Sequence, residues 1–467
     1  MKFSSGLLII FLIGIGLLSC ATEKEKTMKF TGAKGEVKIM TLDPGHFHAA
    51  LVQKNMYEQV NPLVHIYAPE GPDVELHLKR INSYNTRADN PTDWELKIYK
   101  GPDFFEQMLN QKSGNVMVIA GNNRKKTEFI KRTVDAGIHV LADKPMCIDR
   151  TGFELLKQAF ASAEQQVVLL YDIMTERYEI TTILQKELAA IPTVFGELLP
   201  GKPEEPAVTK ESVHHFYKFV SGAPLIRPMW YYDVDQQGEG LVDVTTHLVD
   251  LVQWECFPEQ ILNYETDIKI VSAKHWPTLI TKEQFQASTG ASDFPDYLRS
   301  RINDAGLLEA FCNGEMIYTL KGICAKVSVI WNYQAPEGAG DTHFSIMRGS
   351  KASVIIRQGK EQNYRPELYV ELAPGNSAAS EMNAALEQAI TSLQTDYPGI
   401  ALEKQGKIWH VVIPAQYHVG HEAHFGQVTE KYLKFLIDGK LPDWEVPNMI
   451  AKYHTTTSAL EMARDSK

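Results

Sequence analysis

Three side chains in this sequence are of types, and at spacings, that could move a proton. Lys144 stands directly before Pro145, just after the apolar run Ile138 to Ala142. Much later in the chain, Asp243 and His247 lie four residues apart. That spacing on a helix puts two side chains on one face, about a turn apart, so Asp243 and His247 are expected to share a cavity wall. An imidazole titrates near neutrality and suits a general base that takes a hydroxyl proton. An ammonium at a strand end can hold the same oxygen and stabilise developing alkoxide charge. Lys144 and His247 are the candidate catalytic pair, with Asp243 orienting substrate or histidine.

The elements that must position these groups follow from the hydrophobic pattern. Val37–Leu42, Leu63–Ala68, Trp94–Tyr99, Val116–Ala120, Ile138–Ala142 and Val167–Tyr171 read as strands, with helical stretches such as Ala49–Gln59 and Lys125–Ala136 between them. Strands alternating with helices predict βαβ units and an α/β, Rossmann-like, doubly wound parallel sheet over 36–173, with ligands at the carboxyl ends of the strands. From Ile180 onward, Lys326–Tyr333, Thr342–Met347, Ala352–Arg357 and Glu367–Leu372 alternate like antiparallel strands. Glu381–Leu393, Val428–Ile437 and Asn448–Arg464 are amphipathic. An α+β domain with a large, mainly antiparallel sheet is expected over 174–467, where the substrate binds and copies of the chain associate into a homo-oligomer. His275–Leu308 has no clear period and reads as an excursion over the site or an interface.

The loop after the first strand reads Asp43-Pro44-Gly45-His46-Phe47-His48. Only Gly45 stands where a dinucleotide fingerprint has three glycines, one of which lets backbone approach a pyrophosphate. After the second strand, Glu70 and Asp73 fall where an acid holds ribose hydroxyls.

Two motifs resemble those of the Gfo/Idh/MocA family of nicotinamide-dependent sugar oxidoreductases. Leu141-Ala142-Asp143-Lys144-Pro145 is similar to the family's Glu-Lys-Pro signature, with Asp143 in place of Glu. Gly238-Glu239-Gly240 followed by Asp243, His247 and Asp250 is similar to its glycine-rich stretch and the Asp, His, Asp that come after it. The resemblance implies NAD or NADP, held tightly, at Asp43, Gly45, His46, His48, Glu70, Asn122, Asn123, Asp143, Lys144 and Pro145. It implies substrate contacts from Glu176, Arg177 and Tyr178 after the last strand of the first domain, and from Trp230, Tyr231, Tyr232 and Asp233. The implied reaction is hydride transfer between the nicotinamide and a hydroxyl-bearing carbon of a sugar or glycoside, open to a redox-neutral cycle.

Two readings from other classes stand beside it. His46-x-His48 after a first strand also looks like the start of a zinc or manganese hydrolase site, although no later ligand sits at recognisable spacing. His418, His421 and His424 form a further cluster near Glu422. The other reading is a non-catalytic glycan-binding lipoprotein. The expectation from the motifs is a site with no metal.

Length and charge narrow the field. At 467 residues the chain exceeds the roughly 150 of a typical domain, so two domains are expected. Its 47 Lys and Arg against 58 Asp and Glu, with no basic block, argue against nucleic acid as a partner. Lys2, the apolar run Leu7–Leu18 and Leu17-Leu18-Ser19-Cys20 read as a lipoprotein signal over 1–20, with acylation at Cys20 and a polar tether over 21–35. This predicts an exported bacterial lipoprotein anchored to a membrane, on the periplasmic or cell-surface side. Of the remaining cysteines only Cys312 and Cys324 are close in sequence, and buried free thiols are expected.

Overall fold

The computed structural model describes residues 29–220, 223–337, 339–376 and 378–466. Cys20, the signal segment and most of the expected tether lie outside them.

The first sheet has six strands: β1 (Ile39–Leu42), β2 (Leu63–Ala68), β3 (Glu95–Lys100), β4 (Val116–Ile119), β5 (His139–Asp143) and β6 (Leu170–Ile173). All pairs are parallel and the order is β3-β2-β1-β4-β5-β6. This is the doubly wound Rossmann arrangement, with its switch point between β1 and β4. Every residue of β1, β4 and β6 is buried, as expected of parallel strands covered by helices on both faces.

Three local expectations are corrected. The helix expected over Ala49–Gln59 stops after His48–Leu51. Trp94 Nε1 donates to the Gln53 carbonyl at 2.6 Å and Arg87 Nη2 to that of Lys54 at 2.7 Å, so the acceptors that would continue the helix are taken. The last strand of the sheet falls at Leu170–Ile173 rather than Val167–Tyr171, because Val167 closes the preceding helix in a left-handed conformation. The tether expected through residue 35 ends earlier: Phe30 is 3% exposed and packs edge-on against His139.

The second sheet is built from β7 (Val208–Tyr217), β10 (Ile268–Ile280), β11 (Leu308–Leu320), β12 (Ile323–Gln334), β13 (Thr342–Arg348), β14 (Ala352–Arg357), β15 (Glu367–Leu372), β16 (Ala401–Gln405) and β17 (Ile408–Val412), while β8 (Phe219–Val220) and β9 (Ala223–Pro224) form a small separate hairpin. Its order is β10-β11-β12-β7-β13-β14-β15-β17-β16, antiparallel throughout except for β12 with β7. One face packs on Ile180–Ala189, Thr245–Cys256 and Ala379–Leu393, whose apolar residues share a core with the strands. The last helix, Glu445–Asp465, contributes to the cores of both sheets through Met449 and Tyr453 on one side and Ala459 and Leu460 on the other. Cys147, Cys256, Cys312 and Cys324 are free, Cys147 and Cys324 being buried.

Candidate active site

Lys144 leaves the end of β5 on a cis peptide to Pro145, and its Nζ donates to Asp243 Oδ1 at 2.7 Å. Asp243 belongs to the turn ahead of the helix Thr245–Cys256, not to the helix. The expected shared helical face is therefore corrected: Asp243 faces the ammonium, and His247 occupies the helix's first turn. The glycine-rich stretch is needed for close approach, since a Cβ on Gly240 would stand 2.1 Å from the Cys312 carbonyl oxygen. Thr245 Oγ1 donates to the Gly240 carbonyl and Thr246 Oγ1 to that of Val242, tying the turn to the helix. His247 Nδ1 is buried and has no hydrogen-bond partner among the described residues. Burial, and then the nearby Lys144, hold its imidazole well below the usual range, so it is neutral and can accept a proton.

Lys144 and His247 line one cavity of about 690 Å³, together with His46, His48, Glu176 and Tyr231. The second sheet and the turns at its strand ends line the same cavity with Ser212, His214, Lys218, Trp331 and Asp341. Asp341 pairs with His214 at 3.0 Å, His215 at 3.3 Å and Lys218. Burial pushes its carboxyl up, but these neighbours more than reverse that and hold it below the carboxylate range. This side of the cavity carries no signal in the sequence, because a strand's inward residues have no local mark of which cavity they reach; Glu176, expected at the substrate, does line the cavity.

Two short 3-10 turns sort the expected substrate contacts. At three residues per turn, successive side chains leave in different directions. In Thr175–Tyr178, Glu176 faces the cavity, where burial and then Glu179 push its pKa up to about 7. Arg177 does not: its Nε and Nη2 donate to Asp250 at 2.6 and 2.7 Å, and its Nη1 donates to Glu445 at 3.0 Å. Tyr178 packs on the core of the first sheet. In Met229–Tyr232 only Tyr231 lines the large cavity. Trp230 donates to Asp73 Oδ2 at 2.7 Å, Tyr232 bonds Ser288, and Asp233 caps the next helix through the Asp235 amide. The expectations of substrate contact for Arg177, Tyr178, Trp230, Tyr232 and Asp233 are corrected accordingly.

Beyond the first loop, a second cavity of about 530 Å³ opens at the ends of β1 and β2. It is lined by Asp43, Gly45, Glu70, Gly71 and Asp73, and roofed by Trp230, Thr289–Ala291 and Tyr297, part of the segment without a period. Burial, and then Asp73, push the Asp43 pKa up to about 6. The paired acids and Glu70 offer acceptors to ribose hydroxyls. Gly121 lets β4 and the first loop meet, since a Cβ there would fall 2.0 Å from the Asp43 carbonyl oxygen. Asn122 and Asn123 line neither cavity. Their side chains donate to Gln236 Oε1 at 2.6 Å and to the Gln237 carbonyl at 2.7 Å, which corrects their expected role at the cofactor.

The loop's own amides are also occupied: Gly45 N–H donates to the Asp43 carbonyl and His46 N–H to that of Ala120. A pyrophosphate beside Gly45 would need other donors, and Arg80 and Arg227 are the cations near enough to offer them. Both line the narrow space over Gly45, His46 and Phe47 that lies between the two cavities. Arg227 is 5% exposed, donates to the Phe216 and His215 carbonyls, lies over the rings of Tyr231 and Trp331, and has no carboxylate partner among the described residues. Neither arginine carries a sequence signal, because both reach the loop from distant segments. His46 and His48 stand between this space and Lys144, turned toward Asp143.

The family described as "Oxidoreductase family, NAD-binding Rossmann fold" matches residues 45–171, and "Putative oxidoreductase C terminal domain" matches residues 184–464. A crystal structure of a "putative oxidoreductase" from Parabacteroides merdae ATCC 43184 is 59% identical, with a TM-score of 0.92, over 94% of this chain and 100% of that one. A "putative oxidoreductase" from Thermotoga maritima is 15% identical, with a TM-score of 0.59, over 92% and 99% of the two chains. Levoglucosan dehydrogenase in complex with NADH and levoglucosan is 12% identical, with a TM-score of 0.56, over 92% and 98%. The last two share the fold. No curated protein matches the chain.

Proposed function

The chain belongs to the Gfo/Idh/MocA family of oxidoreductases, with an NAD-binding Rossmann domain and the family's C-terminal domain, and from this premise we propose that it moves hydride between a tightly held nicotinamide dinucleotide and a hydroxyl-bearing carbon of a sugar or glycoside. The observation that carries the reading is the convergence of the Lys144 ammonium and the neutral His247 imidazole on one cavity, with a second, acid-lined cavity at the ends of β1 and β2 on the far side of the first loop.

When bound, the cofactor supplies the hydride acceptor or donor. Asp43, Glu70 and Asp73 take ribose hydroxyls, and Arg80 and Arg227 take the pyrophosphate in place of the missing glycines. His247 removes the hydroxyl proton. Lys144, held by Asp243, binds the same oxygen and stabilises its negative charge as the proton leaves. His214, Lys218 and Asp341 offer a polar rim to a sugar's hydroxyls, beside the edges of Trp331 and Tyr231. A redox-neutral cycle, in which the hydride would return to substrate within the same site, would suit an exported enzyme with little free cofactor around it. Export and anchoring at Cys20, supported by the Lys2 start, the apolar run and the Leu-Leu-Ser-Cys tetrad, belong to the same proposal. So does association of copies through the open face of the second sheet.

The test is to denature the pure protein, identify the released dinucleotide, and screen glycosides for a change in the reduced-nicotinamide absorbance. His247→Asn should lower turnover by about 10²–10⁴ while retaining dinucleotide. Full turnover in that variant, or no dinucleotide retained or bound by the wild type, would sink the reading.

A further inference from the structure

Two imidazoles approach one carboxylate oxygen beside the large cavity. His48 Nδ1 lies 2.9 Å from Asp143 Oδ2, and His46 Nδ1 lies 3.8 Å from the same atom. The shorter span is a hydrogen bond and the longer is not. Both rings turn Nδ1 toward the carboxylate, and that of His46 has besides only a long contact of 3.4 Å from the His48 amide. The three atoms lie within 4.8 Å of one another, and the rings stand edge to face with centroids 4.0 Å apart. About an ion roughly 2.1 Å from each ligand, spans of 2.9 and 3.8 Å correspond to angles of roughly 90° and 130°.

We propose that His46, His48 and Asp143 bind a divalent transition-metal ion of the zinc class, with its open positions turned to the cavity that holds Lys144 and His247. Two imidazoles and one carboxylate suit zinc, iron or cobalt better than calcium or magnesium, which prefer an all-oxygen shell. The Asp143 carboxylate is not consumed elsewhere, since the buried Lys126 donates to its main-chain oxygen at 3.1 Å. His421 also lines the cavity, its ring centroid 5.2 Å from that of His48, within reach of becoming a fourth ligand. The remaining positions would take water or an oxygen of a hydroxylated ligand. The His-x-His pair alone lacked a third ligand in the sequence; folding brings it from 95 residues away. The inference does not rest on the dinucleotide reading, because the three side chains meet whether or not a nucleotide lies beside them.

The experiment uses the full chain, stripped with a chelator and titrated with Zn²⁺ by calorimetry and with Co²⁺ by its ligand-field absorption. Dinucleotide content is measured separately on the same samples. The expected result is one equivalent bound at micromolar concentration or tighter. Loss of an outer-shell partner already weakens such sites about 10–100-fold, so His48→Asn and Asp143→Asn should each weaken binding by more than about a hundredfold. His418→Asn, on the exposed side of Glu179, should leave it unchanged. If either ligand variant misfolds, His46→Asn supplies the same comparison, and the wild-type Co²⁺ spectrum stands by itself. Absence of binding by the wild type, or unchanged affinity in folded ligand variants, overturns the proposal.

Discussion

Lys452→Met should cost the protein heavily, because it removes a cation from the buried ion cluster beneath the active site. The Lys452 ammonium, with no exposed surface, lies 2.7 Å from Asp172 Oδ2 at the end of β6 and 2.9 Å from Asp250 Oδ1, three residues beyond His247 on the same helix. Arg177 pairs with Asp250 and Glu445, so two cations serve three carboxylates. Methionine keeps most of the stem's volume but leaves Asp172 with the Tyr453 hydroxyl alone, at 3.0 Å. Removing one partner of a buried pair costs about 3–5 kcal/mol, which should lower the melting midpoint on the order of 5–10 °C. Burial pushes the Asp250 carboxyl up, but Arg177 and then Lys452 reverse this and hold it below its ordinary value. A depressed carboxylate pKa contributes stability that is present above the unfolded value and lost as pH falls through the folded one. The deficit of the variant should therefore be largest near neutral pH and shrink below about pH 4, where unfolded carboxylates begin to hold their protons. Thermal melts of both proteins across that range give the answer. A midpoint unchanged at neutral pH, or a gap that stays constant into acid, would refute the reasoning.

Three further outcomes follow from the site. Gly121→Ala places a methyl 2.0 Å from the Asp43 carbonyl oxygen, so it should cost about 1–3 kcal/mol in a melt and reduce dinucleotide retention by displacing the first loop. Arg227→Met removes a buried cation beside Gly45; charge-assisted bonds of about 1.5–3 kcal/mol predict dinucleotide binding weakened roughly 10–150-fold in a fluorescence titration, and less salt-sensitive than in the wild type. Glu176, facing Glu179, Lys144 and Asp341, has its pKa raised to about 7, so its contribution to stability is present below about pH 4.5 and lost as pH rises through 7. Glu176→Gln should flatten the melting midpoint between those values and shift the pH profile of turnover.

Much of the architecture was legible because hydrophobic period is local. Leu63–Ala68, Ala352–Arg357 and Glu367–Leu372 are strands over the residues their alternation or apolar run marks. The helix after β1 was misread because Trp94 and Arg87, from outside its segment, take its carbonyls. Likewise, Lys144, Asp243 and His247 carry a spacing that can be read in one dimension, while Arg227, Asp341 and His421 do not.

The sequence by itself determined two sheets of different kind, the order in which they come, and the residue types poised at the end of β5 and the start of the helix Thr245–Cys256, since periodicity and short motifs are properties of neighbours along the chain. Only the tertiary structure decided that Arg177 is spent on Asp250 and Glu445 while Glu176 faces the cavity, that Asp143 meets His46 and His48, and that two arginines crowd the loop where glycines are missing. These are matters of which direction a side chain leaves a turn and of what packs against it from distant segments, and pairing of that range is settled when the two sheets close on each other.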